Sequence, residues 1–444
     1  MNNEILSSSV FLSERRMLCA PPDFIYRVQQ LACKLRQDRI RTAALWLENC
    51  TAFSCALLAC LEAKVDVLLP PNLLAENRRW VAKNADLFLT KSNFTQYALF
   101  HKLLPKPPHF TLVPDIQNQT QIRLKTSGSR GEAKIVVKTA QQMWHEAQAL
   151  REILPFNENI YLLGSVSTQH LYGLTFRVFL PLVAGWRVNN AQLLYPDDLI
   201  AASCGCQTTE KVLWISSPTL LTNLNLADPA LMRIPMAGII SSGGALPEAC
   251  GNAIRRSLSV PVVEIYGSSE TGVIARRTDH SFWQPMPESR VGRDKRGALW
   301  VESPWFSGRE QTEDAVEMSV QGFRLLGRLD RIVKAGDKRV SLVKIERDLS
   351  MHPYVRDCYV GLHPEKQRPV AWIALTEAGI AAFKQLGRKA LITTFRTFLA
   401  PKQEAFALPR FWRFCEQLPR DSQAKIRWAD FAAVCRAIRD EVNR

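Results

Sequence analysis

The sequence predicts an α/β protein, a large mixed N-terminal body followed by a small α+β C-terminal module. Three observations predict it. Short apolar runs recur between helix-like segments, the pattern of strands covered on both faces by helices. With 444 residues and 47% apolar content, the chain is long enough for two or three domains and a large core. After about residue 297 the texture changes to shorter strands and turns.

Taken in order, the strand-like runs of the body are AALWL (43–47), VDVLLP (65–70), IYLLGS (160–165), VLWIS (212–216), AGIIS (237–241) and VVEIY (262–266). A helix is expected over 140–154, where Met143, Ala147, Leu150 and Leu154 share one face. Another should follow Pro247 in PEACGNAIRRSL, since proline suits a first helical turn. Beyond 297 come GALWVES, the strand-and-turn run GFRLLGRLDRIVKAGDKRV and the helix-like VKIERDLS. Strands at YVRDCYVG and PVAWIALT and a helix around 387–399 complete the smaller module. A boundary near Arg328, Leu329 and Asp330 divides the chain into 1–328 and 329–444.

The totals narrow the function classes. No stretch of about 18 uncharged apolar residues occurs and the first residues lack a basic start with an apolar block, so a cytoplasmic protein without stable membrane insertion is expected. Eleven scattered cysteines, with Cys204-Gly-Cys206 but no CxxC pair, favour buried thiols over a disulfide framework or a zinc ribbon. The net charge of +15 favours acidic partners or is plain solvated surface. The basic residues are dispersed and form no nucleic-acid motif, so no nucleic-acid partner is expected.

Three loops carry chemistry. LKTSGSRGEAK (124–134) combines Thr126, Ser127, Gly128, Ser129, Arg130, Gly131 and Lys134, which offers flexible backbone, N–H groups, hydroxyls and a cation. Such a run is either a phosphate cradle or an ordinary hairpin turn, and it lacks the Gly-Lys-Ser/Thr ending of a Walker A loop. IYGSSETG (265–272) places Tyr266, Gly267, Ser268, Ser269 and Glu270 after a strand; Glu270 is a hard oxygen ligand suited to Mg²⁺, or an exposed loop glutamate. SSGGALPEA (241–249) brings Gly243, Gly244 and Ala245 to a similar place.

In this combination and order the chain resembles the adenylate-forming superfamily of acyl-CoA synthetases, peptide-synthetase adenylation domains and luciferases. TSGSRGEAK follows the family's phosphate loop except at Arg130 and Ala133, and Tyr266-Gly267-Ser268-Ser269-Glu270 follows its aromatic-Gly-x-Thr-Glu pattern with serine for threonine. Thr312-Glu313-Asp314 is similar to the ribose-binding Thr-Gly-Asp. GRLDRIVKAGDKRVSLVKIE (327–346) is close to the hinge segment, and LPRDSQAKIRW (418–428) resembles the C-terminal motif with Ala424 in place of glycine. The matches run from about 124 to 428. The first 120 residues carry none and are short for the family, which implies a reduced N-terminal region.

The resemblance implies an enzyme that uses ATP and Mg²⁺ to convert a carboxylic acid into an acyl-adenylate and then passes the acyl group to a thiol. Lys425 would stabilise the charge developing at the α-phosphate. Glu270 would hold the metal, Asp314 the ribose, Arg328 the same nucleotide region, and Tyr266 would pack on adenine. Asp330 matches the hinge of a mobile small domain that alternates Lys425 with the loop at Lys334 and Gly336, which would meet the thiol. His170, in STQHLYG, would orient the substrate carboxylate or else be a core histidine. No acid occurs in SVSTQHLYG to pair an α-ammonium, so a fatty or aryl acid is expected, as in short members from bacterial fatty-acid-like and aryl-polyene gene sets. The thiol is that of an acyl carrier protein, which suits the basic balance, or of coenzyme A. The alternative is a catalytically reduced acyl- or nucleotide-binding protein, suggested by Arg130, Ala133 and Ala424.

Overall fold

The protein was analysed as a computed structural model, which describes residues 11–13, 17–19, 22–98, 115, 117–126, 134–156, 159–279, 282–335, 338–366, 368–403, 405–420 and 426–437. These form two compact units. One holds the described residues up to 291 together with 301–310, and the other 292–300 and those from 311 onward.

The first unit is built on two sheets of the same design. A five-stranded sheet runs in the order Leu87–Thr90, Thr42–Trp46, Asp66–Leu69, Gln121–Thr126, Lys134–Thr139. Its first four strands are parallel and its last two form an antiparallel hairpin. A seven-stranded sheet runs Arg187–Gln192, Ile160–Gly164, Lys211–Ser216, Met236–Ser241, Val262–Ser268, Gly272–Arg277, Gln284–Pro285. Five strands are parallel, and Val262–Ser268 turns back into Gly272–Arg277 as a second antiparallel hairpin.

Sequence explains these elements well. Ile160–Gly164 is buried at every position and Lys211–Ser216 at all but its first, as near-continuous apolar runs must be in a parallel sheet covered on both faces. Helix Cys50–Ala63 is apolar nearly all round because it is buried. The Asn49 side chain accepts the Ala52 N–H at its start, and Lys64 closes it in the left-handed conformation. Helix Ala140–Ile153 begins directly after strand Lys134–Thr139. Thr139 and Gln142 form a reciprocal capping box there, so no loop separates strand from helix. The helix after Pro247 spans Glu248–Leu258, as expected.

The second unit contains the hairpin that ends in Gly322–Arg328, the paired strands Ile332–Ala335 and Lys338–Ser341, and helix Leu342–Ser350, which Ser341 caps. A three-stranded sheet follows, Val355–Leu362, Pro369–Leu375 and Phe411–Cys415, and packs on helix Glu377–Leu399. That helix extends further toward the N-terminus than 387–399. Thr376 caps its start and Gly387, at φ 79°, breaks it in the middle. Among the described residues six cysteines are buried, and burial pushes the Cys55 and Cys60 thiols up to about 12. Among the described residues no helix is long and apolar enough to cross a membrane.

Candidate active site

Parallel α/β sheets gather ligands at the C-terminal ends of their strands, and there the candidate loops of the first unit lie. The stretch 124–134 takes in the facing ends of the two strands of the first hairpin, Gln121–Thr126 and Lys134–Thr139. Thr126 and Lys134 face each other as its last paired residues, and the Thr126 hydroxyl donates to the Lys134 carbonyl at 3.1 Å. Ser127, Gly128, Ser129, Arg130 and Gly131 lie outside the described residues.

Glu270 sits in the turn of the second hairpin. The Ser268 amide donates to the Thr271 hydroxyl at 3.1 Å and the Thr271 amide to the Ser268 hydroxyl at 3.2 Å, which ties the ends of the turn together and leaves Ser269 and Glu270 at its crest. Two glycines make the turn possible. A Cβ at Gly267 would overlap the Gly272 carbonyl, and one at Gly272, which has φ +68°, would overlap the Glu146 carboxylate and crowd the Trp305 ring. The first hairpin reaches the turn of the second through Lys134, whose Nζ lies 3.5 Å from Glu270 Oε1.

Beneath this contact are two buried ionisable residues that the motif reading missed. Lys138, 1% exposed, donates to the carbonyl of Glu270 at 2.8 Å and to that of Trp305 at 3.2 Å. Glu146, also 1% exposed, accepts the Val273 N–H at 2.6 Å and the Thr175 hydroxyl at 3.2 Å. Burial lowers the Lys138 ammonium to about 8, against the opposing pull of Glu146, Glu270 and Glu310. Burial likewise raises the Glu146 carboxyl, which Lys138 and the two hydrogen bonds partly offset. A sequence signal existed for both. Period-two alternation puts Lys138 on the inward face with Val136, and Glu146 lies three residues after Met143 in the apolar stripe of its helix.

The remaining candidates of this unit line neighbouring strand ends. Gly243, Gly244 and Ala245 are exposed just beyond Met236–Ser241, with Gly243 at φ +87°. The Ser242 hydroxyl donates to the Ile265 carbonyl at 2.9 Å, which holds this loop beside Tyr266. Tyr266 is half-buried against Trp283, ring centroids 5.5 Å apart. His170 is half-buried at the start of the short helix Leu171–Leu174, beyond the end of strand Ile160–Gly164. Its neighbour Gln169 is 5% exposed, and neither polar atom of its amide has a hydrogen-bond partner among the described residues. Arg177, fully buried, anchors the same segment by donating to the Val166 carbonyl at 2.7 Å.

In the second unit, Asp314 and Arg328 are directly opposite in the antiparallel pairing of strands Arg309–Ser319 and Gly322–Arg328, and Arg328 Nη1 is 3.9 Å from Asp314 Oδ1. The Thr312 hydroxyl accepts the Asp314 N–H at 3.1 Å and donates to the Leu299 carbonyl at 2.8 Å, which sets the backbone beneath the carboxylate. Asp330 lies in the short 3₁₀ turn Leu329–Arg331 and Lys334 in strand Ile332–Ala335, each described in its backbone alone. Gly336 and Lys425 lie outside the described residues.

A single hard carboxylate beside a lysine fits Mg²⁺ carried in with phosphates, since that ion is commonly held by one or two carboxylates plus phosphate oxygens. Among the described residues no group of three His, Cys, Asp or Glu side chains could hold a metal without such a ligand.

Residues 124–298 match the AMP-binding enzyme family. The chain is 26% identical over 332 residues to a 4-coumarate–CoA ligase of Halorhodospira halophila, covering 71% of this chain and 77% of that protein. The structure is similar to that of a benzoate CoA ligase from Burkholderia xenovorans LB400, with a TM-score of 0.77, 17% identity and coverage of 97% and 98%. It is also similar to o-succinylbenzoate CoA synthetase from Bacillus subtilis in complex with its acyl-adenylate intermediate, with a TM-score of 0.76, 17% identity and 96% coverage of both chains. At these identities the two structural likenesses concern the fold.

Proposed function

We propose that this chain is a member of the adenylate-forming superfamily that activates a carboxylic acid with ATP and transfers the acyl group to a thiol. The observation that carries the reading is the meeting of Lys134 and Glu270 at 3.5 Å, because it joins a glycine- and hydroxyl-rich loop to a lone carboxylate far away in sequence. A site that neutralises phosphate charge and accepts a divalent cation needs both.

In the first step a carboxylate oxygen attacks the α-phosphorus, and the bond from that phosphorus to the bridging oxygen breaks, releasing pyrophosphate. In the second a thiolate attacks the acyl carbon and expels AMP, and the thiol proton goes to solvent. Thr126, Ser127, Gly128, Ser129, Arg130, Gly131 and Lys134 would cradle the outer phosphates, and Asp314 and Arg328 the ribose side. Gly243, Gly244, Ala245, Tyr266, Gly267, Ser268 and Ser269 would line the adenosine. Mg²⁺ held through Glu270 would supply further charge neutralisation. His170 would orient the acid, and Lys425 would stabilise charge at the α-phosphate during adenylation. A boundary at 328/329 with a hinge at Asp330 would exchange Lys425 for Lys334 and Gly336 between the two steps.

The acid is an aryl or fatty acid. The aryl acids named for the relatives support the former, and the absence of an acidic residue from 165–173 speaks against an amino acid. The thiol is a phosphopantetheine arm. Coenzyme A is the carrier named for the relatives, and the charge of +15 favours an acidic acyl carrier protein in the cytoplasm. Acid-dependent ATP–pyrophosphate exchange across a panel of aryl and fatty acids tests the reaction. Silence with every acid from a folded, ATP-binding protein would favour the catalytically reduced reading prompted by Arg130, Ala133 and Ala424. Competition between holo-carrier protein and coenzyme A at two salt concentrations then identifies the acceptor.

A further inference from the structure

The proposed reaction makes no use of the two ionisable residues buried under the carboxylate loop. Their principal bonds go to the main chain of that loop and of its return strand. Lys138 holds the carbonyl of Glu270 at 2.8 Å, and Glu146 holds the amide of Val273 at 2.6 Å. Between the two grips lies Gly272, whose positive φ lets the backbone come down onto Glu146. On the far side of Val273 the indole N–H of Trp305 donates to its carbonyl at 3.1 Å, and Lys138 in turn holds the carbonyl of Trp305 at 3.2 Å.

Stability does not account for this arrangement. Burying a charge costs more than burying an apolar side chain of the same size, and replacing buried ionic groups by well-packed neutral ones is commonly neutral or favourable. Loop placement does account for it. Glu270 is at the crest of a short turn whose other internal ties are the hydroxyl contacts between Ser268 and Thr271. Such a turn could tilt as a whole on its two strands. A lysine rising from the first hairpin fixes its height, and a glutamate from the following helix fixes its return strand. Lys138 also belongs to the strand that starts at Lys134, so one strand presents a cation to the Glu270 carboxylate and, four residues later, another to the Glu270 carbonyl.

We propose that Lys138 and Glu146 are positioning residues that hold the Glu270 turn in register with Lys134 for metal and phosphate binding. This rests on the reading of Glu270 as the Mg²⁺ ligand. Neither residue touches substrate. Lys138 acts through the main chain of Glu270 and Glu146 through that of Val273 on the return strand.

The test uses the full-length chain with Lys138→Met, Glu146→Gln and the double variant. In the double variant no charge is left buried and glutamine can still accept the Val273 N–H, so folding is preserved even if the single lysine variant fails. Three readouts are taken: thermal midpoint, Mg²⁺ half-saturation in acid-dependent pyrophosphate exchange, and MgATP affinity by calorimetry. The expected result is a midpoint for the double variant within a few degrees of the parent, with Mg²⁺ half-saturation and MgATP Kd raised about tenfold or more, the range usual for residues that support a metal ligand. The KM for the acid should be unchanged. Folded variants whose Mg²⁺ half-saturation and MgATP Kd stay within twofold of the parent would overturn the proposal. A parent chain that binds MgATP but exchanges pyrophosphate with no acid sinks the proposed reaction alone, and calorimetry still decides on Lys138 and Glu146. A parent chain that binds no MgATP sinks both.

Discussion

Replacing Gly272 by alanine is expected to destabilise the first unit far more than the same change at Gly243, although both glycines have positive φ, +68° and +87°. The left-handed region costs a non-glycine residue about 1–2 kcal/mol at either place. At Gly243 no atom of the described residues lies within 4 Å of the new methyl group, so the cost ends there. At Gly272 the methyl would overlap the Glu146 carboxylate and press on Trp305. Glu146 is buried and would have to surrender its bond to the Val273 N–H, and a hydrogen bond to a charged group is worth about 1.5–3 kcal/mol. The sum is about 3–5 kcal/mol for Gly272→Ala against about 1–2 for Gly243→Ala. At roughly 2–4 °C per kcal/mol for a unit of this size, thermal midpoints followed by circular dichroism should fall by roughly 6–20 °C and 2–8 °C respectively. Equal shifts in the two variants would refute the argument that close approach to Glu146, rather than backbone conformation, sets the requirement for glycine.

Three further expectations follow from the same geometry. Lys138 titrates near 8 when folded and near 10.5 when free, so the unfolded chain holds more protons between those values and the penalty for burying the cation, about 3 kcal/mol, is relieved as pH rises through that window. The unfolding free energy of the parent minus that of Lys138→Met should therefore increase from pH 8 to 10.5 in urea titrations, and parallel curves would show that the Lys138 ammonium loses its proton no more readily in the folded chain than when free. Lys425→Ala should slow adenylation by about 10²–10³-fold in single-turnover assays while transfer from preformed acyl-adenylate largely survives, and equal losses in both steps would count against alternation at Asp330. Gln169→Leu removes a buried amide without partners among the described residues, so it should raise the melting midpoint and shift preference toward acids without polar substituents. A lower midpoint with unchanged preference would mean that the amide is satisfied by water.

Six strands of the two sheets were legible because burial on both faces writes them as apolar runs. IYLLGS and VLWIS each fall within a residue of strands Ile160–Gly164 and Lys211–Ser216. Strand Arg187–Gln192 was not legible, since RVNNAQ is an edge strand whose half-exposed positions accept polar residues. The helix expected at 387–399 was placed but shortened, because Gly387 reads as a boundary whereas the chain resumes helix on both sides of it. For the site, the motif residues were legible by type and order. Their support was not. A lysine and a glutamate are surface residues by composition, and only the phase of the surrounding pattern, Val136 before Lys138 and Met143 before Glu146, turns them inward. Partners held through main-chain atoms leave no trace in side-chain spacing at all.

The direct passage from strand Lys134–Thr139 into helix Ala140–Ile153 limits how this part of the gene can vary in length. One residue inserted into the six-residue strand would turn Lys138 to the opposite face of the sheet, and one inserted between Thr139 and Glu146 would rotate the glutamate by about 100° around its axis. With no loop at Thr139 to absorb the slip, either event would take one of the two anchors away from the turn that they hold together. Homologous chains that keep Lys138 and Glu146 should therefore keep their separation of eight residues while insertions and deletions collect elsewhere.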